Sequence, residues 1–172
     1  WRITADDPAL SVMTDLCQVA AVTTELSTPL DQGLDIMIKR GVRVLLVVDA
    51  DDHILGLVTS RDIDGEKAHR IFAKAGCSRE DLFVSDVMTL RAKLEVLMME
   101  DLLTARVGDI IATLRQVNRQ HALVLEIDPE TEIPAVRGLF SLSEIGLRLG
   151  LNISPSRQPT TYAELEKAGV AL

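Results

Sequence analysis

Aromatic side chains are scarce: the 172 residues include one Trp, one Tyr and three Phe. Aliphatic side chains must therefore build the core, in a chain that is 47% hydrophobic and 26% charged, an ordinary globular balance. Cysteine is nearly absent. Cys17 and Cys77 have neither the spacing of a metal site nor that of a secreted disulfide framework, and they read as small buried or half-buried thiols. Positive charge is also short, with 18 Lys and Arg against 26 Asp and Glu and a formal net charge of −8. That balance argues against nucleic acid as the main partner, because a phosphate backbone needs a basic face. It argues equally against an anionic membrane surface, while leaving room for a locally basic pocket. No apolar run approaches the roughly 18 residues of a membrane span. The chain opens on Trp1 rather than Met, which leaves the natural N-terminus and any removed targeting segment open; a cytoplasmic location is the default expectation.

Catalytic signatures are missing too. There is no Gly-x-Gly-x-x-Gly or P-loop, no nucleophile elbow and no His/Cys cluster with metal-ligand spacing. The acidic pairs Asp6-Asp7 and Asp51-Asp52 fall in an N-terminal arm and a turn and read as solvated. The expectation is a protein that is not an enzyme and carries no metal or cofactor.

What is present is a repeat. Val12-Met13-Thr14 returns as Val87-Met88-Thr89, an offset of 75. Leu30, Leu34 and Met37 are matched by Val107, Ile111 and Leu114, and Leu45-Leu46-Val47-Val48-Asp49 by Ala122-Leu123-Val124-Leu125-Glu126, both at an offset of 77. Gly56-Leu57-Val58-Thr59-Ser60-Arg61-Asp62-Ile63 is matched by Gly138-Leu139-Phe140-Ser141-Leu142-Ser143-Glu144-Ile145 at an offset of 82. The extra five residues fall around Asp128-Pro129-Glu130-Thr131, which reads as a longer turn.

Both copies share one local grammar. Thr28 reads as a helix cap with Pro29 at the first helical position, and Leu30, Leu34, Met37 and Ile38 form an apolar stripe at helical spacing. Gly41 supplies the left-handed terminator. Val42 to Val48 is nearly all apolar and β-branched, interrupted only by Arg43, a run of the kind buried on both faces, and a polar turn from Asp49 to His53 joins it to a strand from Ile54 to Thr59. A helix is expected from Ser60 to Ala75. In the second copy the helix runs from Ala105 to Val117 with Asn118 as terminator, the strands are His121–Glu126 and Ala135–Phe140, and a helix continues to Leu149. A short strand precedes each unit, at Gln18–Val22 and Glu95–Met99. The fold class is α/β (α+β), with two β-α-β-β-α units packed about a pseudo-twofold axis to cover each other's apolar faces. The domains are 10–80 and 85–150. Residues 151–172 form a Ser/Pro-rich linker and a short helix opened by the capping-box pattern Thr161-Tyr162-Ala163-Glu164.

Val-Met-Thr, the Thr-Pro-Leu helix start, Gly-Val-Arg-x-Leu-Leu-Val-Val-Asp and Gly-Leu-Val-Thr-Ser-Arg-Asp-Ile together resemble a CBS domain. The resemblance spans about residues 10–150, and it is weaker in the second copy, where Glu144 replaces the family's usual Asp and the hairpin loop is longer. It implies a tandem pair, or Bateman module, that binds AMP, ADP, ATP or S-adenosylmethionine in two clefts. It also implies a homodimer and a regulated protein that the sequence does not name.

Thr59 ends a strand and opens a helix, where unpaired backbone N–H groups gather. Asp62, three residues on, has two carboxylate oxygens that suit the adjacent hydroxyls of a ribose. Simple helix capping explains the same pair. In the second copy Ser141 keeps the hydroxyl, and Glu144 either reaches a ribose or caps the helix. Arg43 and His121 lie near the positions from which family members contact phosphates, and Arg61 adjoins the Thr–Asp pair beside Ser60. The bland readings are an arginine snorkelling from a strand edge, a structural histidine and a solvated helix face. The resemblance puts adenine contacts around Ala20–Val22, with Ala20 and Val22 as candidates, and near Leu97–Met98.

Overall fold

A computed structural model describes residues 2–153. Its first half contains β1 (Thr14–Asp15), β2 (Thr23–Thr24), α1 (Leu30–Arg40), β3 (Val44–Val48), β4 (Ile54–Thr59), α2 (Ser60–Asp64), α3 (Glu66–Ala75), α4 (Val84–Val87) and β5 (Thr89–Leu90). The second half contains β6 (Glu95–Met98), α5 (Met99–Leu102), α6 (Val107–Gln116), β7 (His121–Ile127), β8 (Pro134–Ser141) and α7 (Leu142–Leu149). These elements form two compact units. One is Ala20–Leu94, and the other joins the chain up to Val19 to the chain from Glu95 onward. The division at 10–80 and 85–150 follows the sequence repeat, whereas these units follow packing. The tail pattern at Thr161–Glu164 lies outside the described residues.

In the unit formed by Ala20–Leu94 the sheet order is β2-β3-β4-β5. β2 runs parallel to β3, and β3–β4 and β4–β5 are antiparallel. The expected first strand at Gln18–Val22 forms slightly later, at Thr23–Thr24, with the Val22 carbonyl accepting from the Leu46 N–H at 3.0 Å. β3 is the uninterrupted apolar run of the sequence, and Leu45, Leu46, Val47 and Val48 are all buried. α1 is stopped by Gly41 at φ 64°, a left-handed conformation that suits glycine. At its start Pro29 is the capping residue itself, not the first helical one, and the Leu30 N–H bonds the Leu82 carbonyl. Leu30 and Met37 enter the core with Ile63 and Val84, but Ile38 is 70% exposed, so the buried stripe is narrower than the sequence spacing suggests.

The expected helix over Ser60–Ala75 is two helices. Gly65 is extended (φ −92°, ψ −176°) between α2 and α3, and a side chain there would collide with the Arg61 carbonyl oxygen. A glycine in a helix interior is already disfavoured, and here it marks the corner.

The other unit has sheet order β1-β8-β7-β6, with its own core around Val107, Leu114, Val124, Phe140 and Ile145. β6, α6, β7 and β8 lie within two residues of their expected bounds, and Asn118 takes the positive φ (54°) of a terminator. The Val-Met-Thr copies lead into edge strands, Thr14–Asp15 and Thr89–Leu90, in an exchanged manner. Thr14 of the first copy pairs with Leu139 of the second repeat, and Thr89 of the second copy pairs with Leu57 of the first. Each edge strand lies against a glycine. A Cβ on Gly56 would strike the Thr89 carbonyl oxygen, and one on Gly138 would lie 2.7 Å from Met13 Sδ and 2.8 Å from the Thr14 carbonyl oxygen. An arginine then ties β1 in place. Arg137 donates to both Asp15 oxygens at 3.1 and 3.2 Å and to Glu126 at 2.9 Å.

Candidate ligand-binding site

The strand-to-helix junction of the first repeat is held by reciprocal bonds. The Thr59 N–H and hydroxyl both donate to Asp62 Oδ2, at 2.9 and 3.0 Å, and the Asp62 N–H donates back to Thr59 Oγ1 at 3.2 Å. This is a capping box with aspartate in the third helical position. The second carboxylate oxygen, Oδ1, faces Lys67 Nζ at 3.4 Å. Asp62 is largely shielded, with its side chain 17% exposed, and that of Lys67 is 44% exposed. The Ser60 N–H donates to the Arg43 carbonyl at 3.0 Å, and Val44 is in register with Thr59. Thr59, Ser60, Asp62 and the Arg43 backbone are therefore brought together, while the Arg43 and Arg61 side chains are exposed.

The second junction is looser. Ser141 Oγ accepts from the Glu144 N–H at 3.4 Å and lies 3.1 Å from Ser143 Oγ. Glu144 is exposed and turns to Arg148 on its own helix, at 3.4 Å, without a reciprocal bond to the Ser141 backbone. His121 is half-buried in register with Ser141, and the Leu142 N–H bonds the Gln120 carbonyl. By register, then, Gln120 is the counterpart of Arg43, and His121 that of Val44. Ala20 is exposed outside any strand, whereas Val22 packs partly against the core. Leu97 and Met98 are half-buried in β6, in register with Val124 and Leu125.

Residues 11–79 match the CBS domain family. A conserved protein from Pyrococcus horikoshii is similar in structure, with a TM-score of 0.57 and 20% identity over 92% of this chain and 100% of that one. CBSX2 from Arabidopsis thaliana, a CBS-pair protein, has a TM-score of 0.51 and 18% identity over 96% and 99% of the two chains. The chain has the tandem CBS fold. The CBS domain of a bacterial CNNM/CorC family Mg2+ transporter, solved in complex with ATP, is also similar, with a TM-score of 0.53 and 16% identity over 84% and 87% of the two chains. No curated protein sequence matches the chain.

Nothing in the sequence points to Lys67 of the first CBS repeat as a neighbour of Asp62. It lies five residues beyond Asp62, a spacing that brings no two side chains together on a continuous helix. The corner at Gly65 makes the pair. A second group not foreseen lies in the first hairpin turn, where ligand atoms of Asp49, Asp51 and His53 fall within 4.8 Å of one another. Asp49 accepts from the Asp51 and His53 N–H groups at 2.9 Å each and lies 3.1 Å from His53 Nδ1. These bonds fold the turn and hold the Asp49 carboxyl below its ordinary value, the His53 N–H first among them. The other shifted groups also belong to the scaffold. Arg137, through its hydrogen bonds, lowers Asp15, and Asp31 beside Arg79 raises the guanidinium. Among the described residues, no helix is long and apolar enough to cross a membrane.

Proposed function

We propose that this chain is a regulatory module that binds an adenosine-containing ligand, AMP, ADP, ATP or S-adenosylmethionine, and performs no catalysis. The observation that carries the reading is the Thr59–Asp62 pair, fixed at the strand-to-helix junction within the stretch that matches the CBS family. Its carboxylate is shielded and rigid, so a ribose diol meets an acceptor whose entropy is already lost. Similar folds solved with ligands support the class: CBSX2 in complex with AMP and the transporter domain in complex with ATP. In this reading Thr59, Ser60 and Asp62 hold the sugar and first phosphate. Arg43 and Arg61 supply positive charge, and Ala20 and Val22 flank the base. His121, Ser141 and Glu144 form a weaker second site.

The test is a thermal-melting and calorimetric panel of the four ligands. A ligand present at about 100 times its dissociation constant adds about 2.7 kcal/mol of stability. A chain whose melting none of the four shifts is not a nucleotide sensor. Assembly as a homodimer that buries on the order of 1,600 Å² belongs to the same proposal, supported by the exposed Ile38 on α1. Light scattering that finds a monomer at micromolar concentration removes it. A cytoplasmic setting fits the two unbridged thiols, Cys17 and Cys77, and cell fractionation checks it.

One observation favours a second reading, a dimerisation or docking module with decayed pockets. Glu144 is spent on Arg148, and the second junction lacks a closed capping box. The same panel separates the two, since a decayed module dimerises without responding to nucleotide.

A further inference from the structure

The candidate ligands differ in charge, and one basic side chain, Lys67, stands beside Asp62. Both oxygens of that carboxylate are engaged before any ligand arrives: Oδ2 by Thr59, and Oδ1 by Lys67 at 3.4 Å. A ribose diol that takes Oδ1 displaces the ammonium and leaves it beside the sugar. Adenosine then offers that charge nothing but water. S-adenosylmethionine brings a sulfonium of the same sign. A 5′-phosphate, one sugar ring from the diol and within the sweep of a four-carbon stem, supplies a counter-ion.

We propose that Lys67 makes the first-repeat site selective for adenosine 5′-phosphates over both adenosine and S-adenosylmethionine. The inference rests on the nucleotide reading above and narrows its ligand class. The second repeat lacks the device, because Arg148, the partner of Glu144, is also anchored to the Ser11 carbonyl at 3.1 Å and is not released in the same way.

Calorimetry on the full chain with AMP, adenosine and S-adenosylmethionine tests it, using the parent, Lys67→Met, Lys67→Gln and Lys67→Arg. The parent binds AMP about tenfold or more tighter than the other two, since a charge-assisted bond contributes one to two decades. Lys67→Met and Lys67→Gln close that gap by weakening AMP without weakening adenosine, and Lys67→Arg keeps it. With Lys67 44% exposed, the neutral variants have little packing to lose. A parent that prefers S-adenosylmethionine overturns the role of Lys67 while the module reading stands. So does an AMP preference that survives in both neutral variants. A parent that binds none of the three overturns both.

Discussion

Thr59 and Ser141 occupy the same place in the two repeats, each ending the second hairpin strand and opening a helix. At the first, an aspartate is short enough to fold back on the Thr59 backbone, and the carboxylate is locked. At the second, Glu144 turns to solvent and meets Arg148 instead. The longer side chain also has more rotamer freedom to lose on binding. In the nucleotide reading proposed above, the bonds that cap the helix and the preorganisation of the ligand's acceptor are one arrangement. A repeat that loses the first loses much of the second.

The hardest way to break this pairing of repeats is to crowd the edge strands. Gly56→Ala pushes a methyl into the Thr89 carbonyl oxygen and is expected to cost about 3 kcal/mol in urea unfolding. Gly138→Ala is expected to cost somewhat less, because part of what it meets is the flexible Met13 thioether. Equal, near-zero costs at both positions would mean that the edge strands detach without consequence.

Next comes Asp62→Ala. Removing the charged acceptor weakens binding of an adenosine nucleotide about ten- to a hundredfold in titration calorimetry. The lost cap lowers stability by about 1 kcal/mol, so the melting curve shifts while the fold survives. A variant that binds as tightly as the parent would leave Asp62 as a cap alone.

A smaller effect sharpens the contrast between the edges. Arg137 holds the Asp15 carboxyl below its ordinary value in the folded chain. The stabilisation is therefore complete above the ordinary carboxylate range and is lost as pH falls through the depressed value. Asp15→Asn is expected to flatten that acid limb of the stability profile. An unchanged limb assigns it to other carboxylates, such as Asp81, which the Ser78 N–H lowers in the same direction.

The smallest change is expected at Glu144. Ala there moves stability by no more than about 0.5 kcal/mol, as at an ordinary surface site. Asp there completes the missing half of the capping box and adds a few tenths. If Glu144→Asp also gains nucleotide affinity at the second junction, the extra methylene is part of what separates the two repeats there.

Much of the scaffold was legible because it depends on local chemistry. The apolar run of β3, the left-handed Gly41 and the turn at Asp128 each speak for themselves over a few residues. The Thr59–Asp62 spacing was equally plain, although sequence left capping and ligand contact as alternatives. The break at Gly65 was not legible, because one glycine weakens a helix without specifying a corner. Lys67 was hidden behind that break. The exchange of edge strands was hidden as well: Val-Met-Thr is identical in both copies, so nothing local says which sheet each will join. The ladder register agrees with the sequence offset in placing His121 opposite Ser141 as Val44 lies opposite Thr59, so the position equivalent to Arg43 carries Gln120.

That exchange also bears on synthesis. Residues 20–94 hold all four strands of their sheet, so this half can close its core once they have left the ribosome. Ala9 and Val12 belong to the core with Phe140, and Thr14 pairs with Leu139. Residues 9–14 must therefore wait until residues 139–140 have been made before they find their place. Closing so long a loop is slow even when it costs little at equilibrium. Residues 9–14 are thus fastened late, and whatever delays translation between the halves prolongs the time that Val12 and its neighbours spend uncovered.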